Sequence, residues 1–225
     1  MGIVRGNSLV ARHLDPGTRM GEILFGLIMT LTFTLGAGLV IEEEGREGVR
    51  AMLIAILGCN LAWGLIDGVF YVLGQVFERG RLRRIGSRLR GSASNAEALQ
   101  LVAEELDEQL EPFTDESERE RFYRSIVERV KKVPPAPNPV RREDLMGGLA
   151  AGWLVFACSF PAVLPFLVLD EPHVALRVSN AILLSLLFYV GWRMARHTLA
   201  KPWVSGTTFL LFGLLLVVIA IALGG

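Results

Sequence analysis

The chain has 225 residues, of which 52% are hydrophobic and 20% are charged, and its formal net charge is zero. A soluble domain of this length needs only one ordinary core, so a mean hydropathy of +0.44 argues against a soluble protein and favours a membrane environment. Cys59 and Cys158 both lie in apolar stretches, which argues against a disulfide framework or a zinc-binding cluster.

Five stretches of the sequence are long and apolar enough to cross a membrane as helices. A hydrocarbon core of about 30 Å needs roughly 20 mostly apolar residues, because each residue of a helix rises about 1.5 Å. These stretches cover residues 21–41, 49–77, 145–169, 174–195 and 206–223. The sequence therefore predicts an all-α polytopic membrane protein with five transmembrane helices. The predicted order is an N-terminal segment (1–20), helices 1 and 2 (21–77), a helical cytoplasmic insert (78–144) and helices 3–5 (145–225).

The first two spans contain polar side chains that are costly in lipid. Glu22 lies at the start of the first span with Thr30 deeper inside it, while Asn60 and Asp67 share one face of the second span. An ionisable side chain at membrane depth costs about 2.5–3.5 kcal/mol on insertion scales, so it needs a partner or a function. A polar seam between the two helices would offer oxygen ligands to a cation or relay protons. The alternative is structural: Asn60 joins two helices, and Glu22 is hydrated at the membrane edge.

The insert is predicted to form two helices. Ser94 is a suitable first cap, Pro112 ends the first helix, and the second helix runs from about Thr114 to about Lys132. Its apolar stripe includes Phe122, Tyr123 and Ile126. The proline-rich stretch 134–139 is expected to form a stiff, extended link back to the membrane.

One face of the first insert helix is strongly acidic. It carries Glu97, Glu104, Glu105, Asp107, Glu108 and Glu111. Within this set, Glu108 stands three or four residues from Glu104, Glu105 and Glu111, so these carboxylates are neighbours on one helical surface. Like charges this close repel each other, and a hard divalent cation would relieve that repulsion by taking oxygen ligands from several of them. The alternative is a solvated acidic face that pairs with the arginines of the second helix, namely Arg119, Arg121 or Arg124.

Cations in the short connections predict the orientation of the spans. Arginines precede the first span, follow the second and follow the fourth, whereas the turns at 42–47 and 170–173 are poor in cations. Because Lys and Arg stay on the cytoplasmic side, the N-terminus and the insert are expected in the cytoplasm and the C-terminus outside. A bacterial inner membrane fits this arrangement. Within the third span, Pro161 and Pro165 predict a kink.

The order of these elements resembles the vacuolar iron transporter family, whose members move ferrous iron or manganese across membranes. The likeness covers five spans, a cytoplasmic N-terminus and an acidic helical insert between spans two and three. It is closest in the last third of the chain, from Met146-Gly147-Gly148-Leu149 through Phe160-Pro161-Ala162-Val163-Leu164-Pro165-Phe166 to the last span.

The resemblance implies a homodimer with a metal path between the first two helices of each subunit, and transport coupled to protons. It also implies that metal is collected by a set of insert carboxylates and one methionine: Glu104, Glu105, Glu108, Glu111, Glu143 and Met146. The chain departs from the family inside the membrane. The family has an Asp-Gly element in span one, where this chain reads Leu27-Ile28-Met29-Thr30-Leu31-Thr32, and this chain's second span offers Asn60 and Asp67 where the family has Glu and Met.

Two functions of different kinds follow. The first is a transporter of divalent metal ions, iron or manganese, with Asp67, Asn60, Glu22 and Thr30 along its path. The second is a non-transporting membrane protein whose insert binds a protein partner through Phe122, Tyr123 and Ile126. The sequence contains no Walker loop, His-Glu-x-x-His, Gly-x-Ser-x-Gly or dinucleotide fingerprint, so an enzyme is not expected. The expected partners are the lipid bilayer, divalent metal ions and a second copy of the chain, with no nucleic acid and no tightly bound cofactor.

Overall fold

The computed structural model describes residues 9–134, 137 and 139–222. Within these residues every regular element is a helix, and five helices are long and apolar enough to cross a membrane. The predicted all-α class is therefore confirmed. The proline-rich link predicted at 134–139 falls partly outside the described residues, since 135, 136 and 138 do not belong to them.

Ten α-helices follow one another in the described chain. They are α1 (Leu9–His13), α2 (Pro16–Gly36), α3 (Gly38–Glu44), α4 (Arg46–Gly91), α5 (Asn95–Leu110), α6 (Glu116–Lys132), α7 (Arg142–Ala157), α8 (Phe160–Val168), α9 (Pro172–Met194) and α10 (Pro202–Ala222). They form two compact units: one holds the chain up to Val72 together with the chain from Arg141 onwards, and the other holds Leu73–Val140. The predicted insert, 78–144, overlaps the second unit.

The first span begins and ends earlier than predicted. The side chain of Asp15 accepts hydrogen bonds from the backbone N–H groups of Gly17 (2.8 Å) and Thr18 (3.0 Å), so α2 begins at Pro16. The helix stops at Gly36, and a separate short helix, α3, covers the remainder of the predicted span. The expectation of one helix over 21–41 was therefore wrong at both ends.

The second and third spans also differ from their predicted bounds. The second, expected over 49–77, lies inside the 46-residue helix α4, which continues to Gly91 through the arginine-rich stretch. Arginine is a good helix former, so the loss of apolar character after Phe77 does not end the helix. The third span is broken between Ala157 and Phe160, and Pro165 lies inside the second piece, α8. The predicted kink is confirmed as this break.

The larger unit is built around an apolar core shared by α2 and α9. Leu27 and Leu31 of α2 pack with Leu183 and Leu187 of α9, and all four side chains are almost completely buried. Burial of aliphatic side chains of this size contributes about 1.5–3 kcal/mol each when the alternative is exposure to water. This core fixes α2, which carries Glu22 and Thr30.

The smaller unit has its own core and well-defined helix caps. Leu89 of α4, Val102 of α5, and Tyr123 and Val127 of α6 are buried together. The predicted cap at Ser94 is confirmed, because its hydroxyl accepts from the N–H of Glu97 at 3.1 Å. At the start of α6, two hydrogen bonds lower the pKa of Asp115. The first comes from the Ser117 hydroxyl (2.7 Å) and the second from the Glu118 N–H (2.8 Å).

Candidate functional site

The predicted polar seam between the first two spans is present in the structure. The Nδ2 of Asn60 on α4 donates to the Thr30 hydroxyl of α2 at 2.8 Å, and Thr30 donates in turn to a backbone carbonyl of its own helix at 2.7 Å. One turn away on each helix, the rings of Phe25 and Trp63 pack edge to face, with centroids 5.7 Å apart. Thr30, the later of the two residues on α2, contacts Asn60, the earlier of the two on α4, so the two helices run antiparallel here.

Asn60 is fully buried and has one oxygen without a partner. Its Nδ2 faces the Thr30 hydroxyl and lies 3.5 Å from the carbonyl oxygen of Val155 on α7. Since a carbonyl only accepts hydrogen bonds, the amide must present nitrogen to Val155 and oxygen to the other side. That oxygen, Oδ1, is inaccessible to solvent and has no hydrogen-bond partner. An orphaned acceptor at this depth is costly, and a cation or a proton donor would satisfy it.

Asp67 lies two helical turns from Asn60 on the same face of α4. Its Oδ2 is also buried without a hydrogen-bond partner. Its charge interacts with that of Glu22 on α2, which is half-buried. Among the described residues neither carboxylate has a salt-bridge partner. Like charges repel each other, so a bound cation or a proton would relieve the repulsion.

The four predicted path residues therefore form two levels of a ladder, which we call the α2–α4 ladder. One level contains Asn60 and Thr30, and the other contains Asp67 and Glu22. Seven residues of helix separate Asn60 from Asp67, which is about 10.5 Å along the axis. That distance exceeds the size of one coordination shell, in which oxygen ligands lie about 2.0–2.6 Å from the ion. The ladder thus offers two successive positions to a cation and not one cage.

Glycines bring α7 directly against the ladder face of α4. A Cβ added to Gly64 would lie 2.5 Å from the carbonyl oxygen of Gly152, and one added to Gly68 would lie 2.8 Å from that of Gly148. The two backbones are therefore in contact on both sides of Asp67, an arrangement typical of close helix packing in membranes. Gly58, two residues before Asn60 on α4, has nothing within 4 Å of such a Cβ.

Two polar contacts near the ladder were not predicted from the sequence. The Thr34 hydroxyl of α2 lies 2.6 Å from Oδ1 of Asn180 on α9, and the Tyr71 hydroxyl of α4 donates to the carbonyl of His13 at 2.9 Å. A lone asparagine in an apolar helix is a signal that could have identified Asn180. For Tyr71 the signal was its position four residues after Asp67, on the same helix face.

The predicted acidic face of α5 is only partly available to an ion. Glu105 forms a salt bridge with Arg81 at 2.5 Å, Glu104 accepts a hydrogen bond from Gln100 at 3.2 Å, and Glu108 and Glu111 are exposed. The alternative, pairing with the arginines of α6, is confirmed at one carboxylate of this face, Asp107. Arg119 pairs with Asp107 at 3.3 Å and Arg124 with Glu120 at 2.6 Å.

The two metal-collecting residues implied at the start of the third span, Glu143 and Met146, differ in their exposure to solvent. Glu143 is exposed and Met146 is half-buried, while Asp144 between them is buried and accepts a hydrogen bond from the Arg141 N–H at 2.7 Å. Over the described ranges, no three His, Cys, Asp or Glu side chains are arranged to hold a metal ion. Metal collection by the insert glutamates, Glu143 and Met146 therefore stays a prediction.

No protein-family model and no curated protein matches this chain. The resemblance to the vacuolar iron transporter family thus stays a prediction from the sequence.

The partner-binding surface predicted on α6 is largely occupied by the unit's own core. Tyr123 is 5% exposed and its hydroxyl donates to Asp107 at 2.6 Å, and Ile126 packs partly against the same core. Of the three predicted contact residues, only Phe122 is well exposed, at 50%. Because two of the three face inward, this surface gives less support to the interaction hypothesis than the ladder gives to transport.

Proposed function

We propose that the chain is an integral membrane protein that moves a divalent metal ion, iron or manganese, along the α2–α4 ladder. One observation carries the proposal: two buried side-chain oxygens, Asn60 Oδ1 and Asp67 Oδ2, have no partner and lie on one face of a helix apolar enough to cross a membrane. Intramembrane polar groups are rare because they are costly, and they mark ion and proton pathways.

The donor set favours a hard cation. Two carboxylates, one amide oxygen and one hydroxyl line the ladder, and oxygen ligands of these kinds suit Mn²⁺ and comparable ions. The Asp67–Glu22 pair carries up to two negative charges, which matches a divalent ion in charge. When the ion leaves, a proton can take its place on either carboxylate, and this gives a physical basis for coupling transport to protons.

The orientation proposed for the protein follows the distribution of cations. By the positive-inside rule, the arginines near the start of α2 and along the last turns of α4 favour a cytoplasmic N-terminus and insert, and five crossings then imply a C-terminus outside. In this orientation Glu22 and Asp67 form the cytoplasmic level of the ladder, and Asn60 and Thr30 form the deeper level. A bacterial inner membrane and a homodimer remain part of the proposal.

Uptake by reconstituted protein tests the function. Purified full-length chain in sealed liposomes should take up Mn²⁺ and Fe²⁺ faster than protein-free liposomes, with Mg²⁺ and K⁺ as comparison ions. The variant Glu22→Gln should reduce the initial rate by about tenfold or more, because a lost charge-assisted contact is worth about 1.5–3 kcal/mol. The matched control is Glu43→Gln, the same substitution at an exposed residue of α3. Uptake equal to that of empty liposomes for every divalent ion would refute the proposal.

A further inference from the structure

The turn between α9 and α10 is basic, and its cations form no salt bridge with the described residues. All six residues from Arg196 to Lys201 are exposed. The sequence contains no Asp or Glu from Pro172 to its end, and among the described residues neither Arg196 nor Lys201 forms a salt bridge. Elsewhere in the protein, several arginines are paired with carboxylates of the same unit. Within the part of the chain that the structure describes, no carboxylate therefore neutralises the cations of this turn.

Aromatic and apolar side chains surround these cations. The guanidinium of Arg196 lies over the ring of Trp192, 4.5 Å from its centroid, and Tyr189 stacks on the same ring. At the start of α10, Trp203 is 71% exposed, and Leu199 at the tip of the turn is fully exposed. In water this apolar exposure would be unfavourable, whereas Trp and Tyr are enriched where a protein meets the membrane surface.

The turn is held in a fixed shape by the packing of the two helices. A Cβ added to Gly191 would lie 2.8 Å from the Ser205 carbonyl oxygen, and one added to Gly206 would lie 2.8 Å from the ring of Phe188. The ring of Phe188 also contacts that of Trp203, with centroids 5.6 Å apart. Close backbone packing therefore places Arg196 and Lys201 at adjacent helix ends. The first turn of α10 adds backbone N–H groups that the helix itself does not pair, and the positive end of its dipole.

We infer that this turn binds the phosphate of an anionic phospholipid, whose acyl chains lie against Leu199 and Trp203. The cations and the N-terminus of α10 complement the negative headgroup, and basic residues at a membrane surface attract anionic lipids. The exposed Leu199 and Trp203 favour a lipid over free phosphate. A lipid covers exposed apolar surface and also neutralises the positive charge, whereas free phosphate can only neutralise the charge. The inference rests on the membrane insertion proposed above, but not on metal transport.

Native mass spectrometry of the detergent-solubilised full-length protein tests this site. The probes are phosphatidylglycerol and phosphatidylcholine with identical acyl chains. Wild type should bind phosphatidylglycerol more tightly than phosphatidylcholine. Each of Arg196→Gln and Lys201→Gln should weaken one phosphatidylglycerol-binding step about fivefold, equivalent to about 1 kcal/mol per cation, and the double variant about 25-fold. Binding of phosphatidylcholine should not change.

The control variant carries Arg129→Gln and Lys132→Gln, which remove one Arg and one Lys from exposed positions of α6. It should bind both lipids as wild type does. The inference is overturned if the double variant retains the wild-type preference, if the control loses it equally, or if excess inorganic phosphate displaces the lipid. Helicity measured by circular dichroism checks the fold of each variant, and Lys201→Gln alone serves as the test if the double variant is unfolded. Metal uptake is measured separately, so a transport failure does not decide the lipid result.

Discussion

Replacing Gly64 by alanine tests whether α4 and α7 are in backbone contact beside the ladder. The new Cβ would lie 2.5 Å from the Gly152 oxygen, about 0.9 Å closer than the 3.4 Å at which ordinary contacts begin. The obstacle is backbone, so the helices must separate, and overpacking of this kind costs about 1–3 kcal/mol. Alanine also favours the helix over glycine by about 0.5–1 kcal/mol. The two effects together should lower the free energy of unfolding of Gly64→Ala or leave it nearly unchanged.

The matched variant Gly58→Ala isolates the packing cost. It lies on the same helix, gains the same helix preference and meets nothing within 4 Å. The difference in free energy of unfolding between the two variants should therefore be the packing cost alone, about 1–3 kcal/mol. For a chain of this size that difference corresponds to about 2–12 °C in Tm. Thermal unfolding in detergent, followed by circular dichroism, measures it, and equal stability of Gly64→Ala and Gly58→Ala would refute the close contact.

Two further predictions concern the smaller unit. The lowered pKa of Asp115 means that its capping contribution to stability is present above its unfolded pKa and is lost as pH falls through its folded pKa. Asp115→Asn, which keeps the cap but does not titrate, should therefore show less helix loss than wild type during acid titration by circular dichroism, and an identical profile would contradict this. If the insert collects metal, Glu108→Gln with Glu111→Gln should weaken Mn²⁺ binding in calorimetric titration. The same change at the exposed pair Glu116 and Glu128 should not, and equal loss in both variants would indicate a general charge effect.

Local signals in the sequence predicted much of the fold. The cap at Ser94 could be identified because it satisfies a backbone donor within three residues, and Pro161 marked the break between α7 and α8. The end of α4 could not be identified in this way. Hydropathy marks where a helix leaves an apolar environment, but the arginines that follow Phe77 continue the same helix to Gly91.

The candidate site was predictable in its members but not in its geometry. Asn60 and Asp67 were identified because a polar group in an apolar span is costly wherever it points. Their partners depend on the register of two helices, which no local pattern specifies, so the Asn60–Thr30 hydrogen bond required the structure. For the same reason the sequence singles out Asn180 as a polar residue in an apolar helix but does not specify its contact with Thr34, 146 residues away.

The rate of Mn²⁺ entering liposomes that contain Asp67→Asn, compared with Asp170→Asn, most directly tests the claim that ions pass along the α2–α4 ladder. Both substitutions remove one carboxylate charge, but Asp67 has a buried oxygen without a partner whereas Asp170 is a fully exposed turn residue. The ladder predicts that Asp67→Asn abolishes uptake while the protein stays folded, and that Asp170→Asn transports as wild type does. Wild-type uptake by folded Asp67→Asn would contradict it.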